Sequence, residues 1–274
     1  VNVTDTTVVH YQKNAFALSG DGLTANVTGC TTTGYGATAV TAQNGIQISY
    51  GAGGTIDDCT VTGNIYTGSG WASTGVLIYL ATDIDVSDTV ITDNAPGVYC
   101  QDTPSGTFTG ISVSNEDPEA WDAFYAVNST GTFLGAGLDS RPAAAPFAEE
   151  GDAGTGGRAV MDVTVTGSEF LGSDKADSWG VYAVAHGTDT VNLSLSDCLV
   201  KDWDYGVYAR NDVVPVTLSA NDCSIVSNMT CGFYADAFAK GDQDAEDNWW
   251  GHASGPYHPT ANPYGEGCLL YTSD

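Results

Sequence analysis

Apolar residues along this chain alternate with polar ones over short runs, as in the pattern Val-x-x-Cys-x-Val. They never settle into the three- and four-residue spacing of a helix face. The runs recur. Compare "VTDTTV" (3–8), "VTGCTT" (27–32), "IDDCTV" (56–61), "VSDTVI" (86–91), "VTGSEF" (165–170), "LSDCLV" (195–200) and "ANDCSI" (220–225). Their fourth residues are Thr6, Cys30, Cys59, Thr89, Ser168, Cys198 and Cys223, all small. A second register follows each: "GVLIY" (75–79), "GVYC" (97–100), "AFYA" (123–126), "GVYA" (180–183), "GVYA" (206–209) and "GFYA" (232–235). Two registers moving together at a period near 25–30 residues mark a structural repeat.

Units of short strands, each too short for a helix, stack well only if each is one turn of a coil. Every strand then pairs with its counterpart one turn away, about 4.8 Å off. The pattern therefore predicts an all-β chain, a single-stranded parallel β-helix of about 8–9 coils, with small inward residues in ladders. Between Glu116 and Ser168 the repeat stretches by about one coil. Residues 131–160, rich in Gly, Ala and Pro, are expected to leave the coil as one long excursion carrying Arg141, Arg158, Glu149 and Glu150.

These units resemble the right-handed parallel β-helix repeat proteins of the pectate-lyase-like superfold. "GIQISYGAGGTIDDCTVTGNIYTG" (45–68) and the ending "DNWWGHASGP…NP" resemble a bacterial and archaeal subgroup of secreted repeat proteins. The resemblance implies a protein of the extracellular space or the cell surface. It leaves the reaction open, because the superfold hosts lyases, hydrolases, binding modules and structural proteins.

The stretch "NWWGHASGPYHPTANPYG" (248–265) falls one 25-residue step after "ANDCSI", which puts Asn248 at the Cys223 position. Trp249, Trp250 and the glycines and prolines after them are expected to cap the coil and stop strand addition. The ending "CLLYTSD" (268–274) breaks the pattern. In one frame it equals the translation of the transposon-end adaptor of common sequencing-library kits. The expected division is residues 1–267 as the β-helix domain and 268–274 as a non-native, adaptor-derived tail of a metagenomic read.

The charge balance narrows the partners. There are 34 acidic residues against 7 Lys+Arg, a formal net charge of −27, which disfavours nucleic-acid backbones and anionic membranes. No apolar run is long enough for a membrane helix. What such a surface attracts is cations, and calcium suits Asp and Asn. Asp far outnumbers Glu, which speaks for many turns. Cys30 and Cys59, like Cys198 and Cys223, fall on neighbouring coils and are expected to be buried free thiols.

Candidate chemistry lies on outward positions and the turns beside them. In Gly-Val-Tyr-Ala the Tyr points outward if Val and Ala point in, so Tyr79, Tyr99, Tyr125, Tyr182, Tyr208 and Tyr234 would form an exposed aromatic ladder. The preceding turns carry Trp71, Trp121, Trp179 and Trp203 among carboxylates, a composition that suits an extracellular polysaccharide. The alternative is that the tyrosines stack on one another and the tryptophans cover loops. A calcium-dependent lyase would use Asp177, Asp202 and Asp204 for the ion and Arg210 or Lys201 as base. A glycoside hydrolase would draw its paired carboxylates from Asp122, Asp177, Asp202 and Asp204. Polysaccharide binding or a surface structural role, a lyase or hydrolase along the Trp/Asp edge, and end-to-end self-association all remain open.

Overall fold

The computed structural model describes residues 1–68, 71–117, 122–129, 160–186, 190–211, 215–236 and 241–272. Trp121 and the 131–160 excursion up to Gly157, Arg158 and Ala159 lie outside these residues. Val160 opens the strand Val160–Thr166.

Every coil contributes up to three strands, and coils stack in parallel register to make three faces. Face A is a nine-stranded sheet among the described residues, running from Asn2–Thr4 through Thr24–Thr28 and Gly53–Asp57 to Gln243–Asp244. Face B begins with Thr7–Val9, Thr31–Thr38, Thr60–Tyr66, Val90–Thr92 and Ser112–Ser114. Face C begins with Asn14–Ser19, Asn44–Ser49, Thr74–Tyr79, Val98–Gln101 and Asp122–Ser129. Two long strands, Glu169–His186 and Leu199–Asn211, turn the corner from B to C and join those faces into one sheet.

Alternation sets the core. On face A the row Val3–Val27–Ile56–Val86–Phe108–Val165–Leu195–Ala220 points inward. On face C the inward row is Phe16–Ile46–Val76–Val98–Phe124–Val181–Val207–Phe233. Most of these side chains are fully buried, and each contributes about 1.5–3 kcal/mol of hydrophobic stabilisation.

The A-to-B corner explains the composition. Asp5, Gly29, Asp58, Asp88, Gly110, Gly167, Asp197, Asp222 and Asp247 all take a left-handed conformation there. Gly, Asn and Asp tolerate that region where Glu and branched residues do not. The residue that follows points inward and donates to the carbonyl two positions back. Thr6 to Thr4 O is 2.9 Å, Thr89 to Ser87 O 2.8 Å, and Ser168 to Thr166 O 3.0 Å. Cys59 to Asp57 O, Cys198 to Ser196 O and Cys223 to Asn221 O are each 3.2 Å. The position selects a short side chain with a donor, which accounts for its mixture of Cys, Ser and Thr. The seven cysteines are free, and all but Cys268 are buried. Asn248 continues the series, its side-chain oxygen accepting from Cys223 N at 2.8 Å.

At the C-terminal end Trp250 enters the core while Trp249 stays half exposed. His258 Nδ1 accepts the backbone N–H groups of Thr260 and Ala261, so this histidine folds a turn. Gly267–Thr272 adds a strand beside Cys231–Ala235, with Leu270 opposite Phe233 and Tyr271 opposite Tyr234. The adaptor-like residues thus occupy a coil position, because Leu-Leu-Tyr-Thr happens to satisfy the in–out alternation of face C.

Candidate functional site

The outward column of face C runs Ala17–Gln47–Leu77–Tyr99–Tyr125–Tyr182–Tyr208–Tyr234–Tyr271. It is the expected tyrosine ladder, with two corrections. Tyr79 does not belong to it. Leu77 takes that place, and Tyr79 stands in the neighbouring row between Ser49 and Gln101, edge-on to Tyr50 at 5.3 Å. Nor is the ladder exposed throughout: Tyr99, Tyr125 and Tyr182 are 1%, 7% and 4% exposed. They form a second apolar cluster outside the coil with Ala72, Leu77, Val127, Trp179 and Val184. Trp179 folds over the face and stacks on Tyr182 at 5.5 Å.

Ring orientation limits what the column offers. Tyr99 stacks on Tyr125, and Tyr208 on Tyr234 at 4.8 Å and 11°. In the half-buried Tyr208–Tyr234 pair the stacked faces cover each other, which leaves edges and hydroxyls toward solvent. The ladder opens only toward the C-terminal coils, where Tyr205, Tyr208 and Tyr234 are half-buried. Burial, with the charge of Asp236 next, raises the phenol pKa of Tyr208 and of Tyr234. Tyr205 is raised likewise by burial and then by Asp204.

Of the other tryptophans, Trp203 does not present a sugar-binding face. Trp203 is 1% exposed and sits in the main core, its indole N–H donating to Phe170 O at 3.0 Å. The cause is Asp202, whose left-handed backbone (φ 61°) breaks the alternation and turns the next side chain inward. Trp71 is half-buried with Lys13 Nζ 5.6 Å from its ring centroid.

The lyase and calcium constellation is not assembled either. Asp204 is buried, and its Oδ2 accepts the backbone N–H of Asp177 at 2.8 Å. Asp202 pairs with Lys201 at 3.0 Å. Arg210 lies six strand residues beyond Asp204, about 20 Å at about 3.3 Å per residue. There it ends the outward row Val127–Val184–Arg210. Among the described residues no three His, Cys, Asp or Glu side chains are placed to hold a metal. Asp202 and Asp204 are thus engaged in local contacts.

Sequence reasoning missed an internal asparagine ladder at the B-to-C corner. Asn64 Nδ2 donates to Asn94 Oδ1 at 2.8 Å, and Asn94 N donates to Asn115 Oδ1 at 3.3 Å. Tyr11 OH also donates to Asn64 Oδ1. Further along, Asn228 Oδ1 accepts from Trp203 N at 3.1 Å. The signal was present, since Asn ends "VTGN", "ITDN", "SVSN" and "IVSN".

Residues 1–135 match the family model described as the right handed beta helix region. The chain is a right-handed parallel β-helix. No curated protein and no solved structure matches it. The β-helix thus carries an aromatic column that is sealed in its middle and open at one end, beside carboxylates that hold turns.

Proposed function

We propose that this β-helix is a secreted or cell-surface module that binds an extended extracellular polysaccharide without cleaving it. The observation that carries this reading is the open end of the column. Tyr208 and Tyr234 stand opposite each other on successive coils, with Tyr205 on the same strand as Tyr208, bordered by Asp204 and Asp236. The coil rise, about 4.8 Å, is comparable to one pyranose of an extended chain. Phenol hydroxyls and carboxylates at that pitch suit sugar hydroxyls. Binding would be edge-on and hydrogen-bonded, since the ring faces are stacked on one another. The engagement of Asp204, Asp202 and Lys201 in local contacts favours binding over catalysis.

The test is retention on a panel of immobilised polysaccharides, with parallel assays for unsaturated products and new reducing ends. Retention without product is expected, weakened by Tyr208→Ala and Asp236→Ala and unchanged by a calcium chelator. Product formation abolished by Asp204→Ala would overturn the reading in favour of a lyase or hydrolase. Silence across the panel would overturn it in favour of a structural module.

A further inference from the structure

Face B differs from face A in its first five coils. Its outward positions fall in two columns, one from Thr7 to Ser112 and one from Val9 to Ser114. The rungs between pair in strict register: Thr31 with Thr60, Thr33 with Thr62, and Val90 and Thr92 beyond. All ten positions are Thr, Ser or Val, and none is charged, in a chain of net charge −27. On face A the equivalent columns include Asp57, Asp85 and Asp162.

The hydroxyls differ as well. On face A several are engaged with their neighbours: Ser87 with Asp57 and Ser105 with Asp83 at 2.5 Å, and Ser219 with Ser194 at 3.1 Å. On these five rungs of face B no side-chain hydroxyl bonds to another atom of the described residues, although every one is exposed or half-exposed. They are open to solvent. The β-branched Thr and Val side chains have few rotamers, so their hydroxyls and methyls are held in place before any ligand arrives, which lowers the cost of ordering on binding.

The array repeats at about 4.8 Å from coil to coil and about 6.7 Å between alternate residues of a strand, over about 19 Å of axis. Those two lengths approximate the two oxygen repeats on a prism face of ice. An uncharged grid of fixed methyls and unengaged hydroxyls at this spacing would order a first water layer that merges with the crystal. We propose that face B, from the first coil to the fifth, is an ice-binding surface whose ligand is crystalline water. This proposal is independent of the polysaccharide reading, which concerns face C of later coils.

The experiment is osmometry of the full chain in a nanolitre droplet, with the ice crystals observed during growth. The expected result is a gap between melting and freezing points, with faceted crystals. Thr60→Lys, at an exposed position in the middle of the grid, should abolish both. Thr107→Lys, exposed on face A, should leave both intact, and circular dichroism should show both variants folded. Absence of the gap in the unmodified chain would overturn the proposal, as would its persistence in Thr60→Lys. Thr60-dependent retention on crystalline cellulose without any freezing gap would also overturn it, making the face a polysaccharide platform.

Discussion

Replacing Trp203 by Ala separates a core residue from a ligand-binding one. The indole is 1% exposed, lies in the main core, and donates its N–H to Phe170 O at 3.0 Å. Removing a buried Trp leaves a cavity that costs about 3–5 kcal/mol. Stranding the Phe170 carbonyl adds about 1 kcal/mol. A total of about 4–6 kcal/mol corresponds to a fall in melting temperature of about 8–24 °C at about 2–4 °C per kcal/mol. Trp203→Phe keeps most of the volume and loses the hydrogen bond, for about 1–2 kcal/mol. Calorimetry of the three proteins measures both shifts, and retention on a bound polysaccharide is followed alongside. If Trp203→Ala melts within about 2 °C of the parent while losing retention, Trp203 contacts ligand and the core placement is wrong.

Three more outcomes follow from the corners and the buried groups. Asp58, left-handed with φ 50° and exposed, should accept Gly at nearly constant stability, whereas Asp58→Val should cost about 1–2 kcal/mol; equal stabilities by urea titration would remove the backbone explanation for the aspartates. A disulfide reagent should label Cys268 readily in the native protein, and the six buried thiols only on unfolding; labelling of all seven at one native rate would contradict their burial. Burial pushes Tyr11 and Tyr79 up to about 12. The folded state therefore holds their protons where the unfolded chain releases them, and stability should fall as pH rises from about 10 toward 12. A melting temperature flat across that range, with phenolate absorbance already complete at its lower end, would show these rings to be solvated.

Much of this architecture is legible in the sequence because a β-helix writes its period twice, once at the small inward donor and once at Gly-Val-Tyr-Ala. The fifth coil escaped because Ile111 replaces the small residue there, so "FTGISV" (108–113) does not resemble its neighbours. Its pairing with the next coil is nevertheless regular, Phe108 opposite Val165. The site was less legible than the fold. Period-two reasoning places Tyr208 correctly but fails at Trp203, because a single left-handed residue, Asp202, reverses in and out. Direction also differs from exposure: Tyr125 points outward and is still buried, since it packs between Tyr99 and Tyr182 in the apolar cluster that Trp179 joins. The asparagine ladder was missed because polar residues were read as outward, whereas Asn64 and Asn94 are buried and bonded to one another.

Coils of this protein differ widely in perimeter. Bonded partners on successive coils stand 22 residues apart at Ser105 and Asp83, 30 at Ser87 and Asp57, and 57 at Ile111 and Ser168. The rise per coil stays the same, because it is fixed by the hydrogen bonds between strands. The molecule therefore behaves as a ruler whose graduations do not depend on how much chain lies between them. Loops at the corners are free to lengthen, diversify or receive whole inserted segments, while two groups on the same face keep their separation to a fraction of an ångström. Any partner that reads spacing along the axis is insulated from drift at the edges.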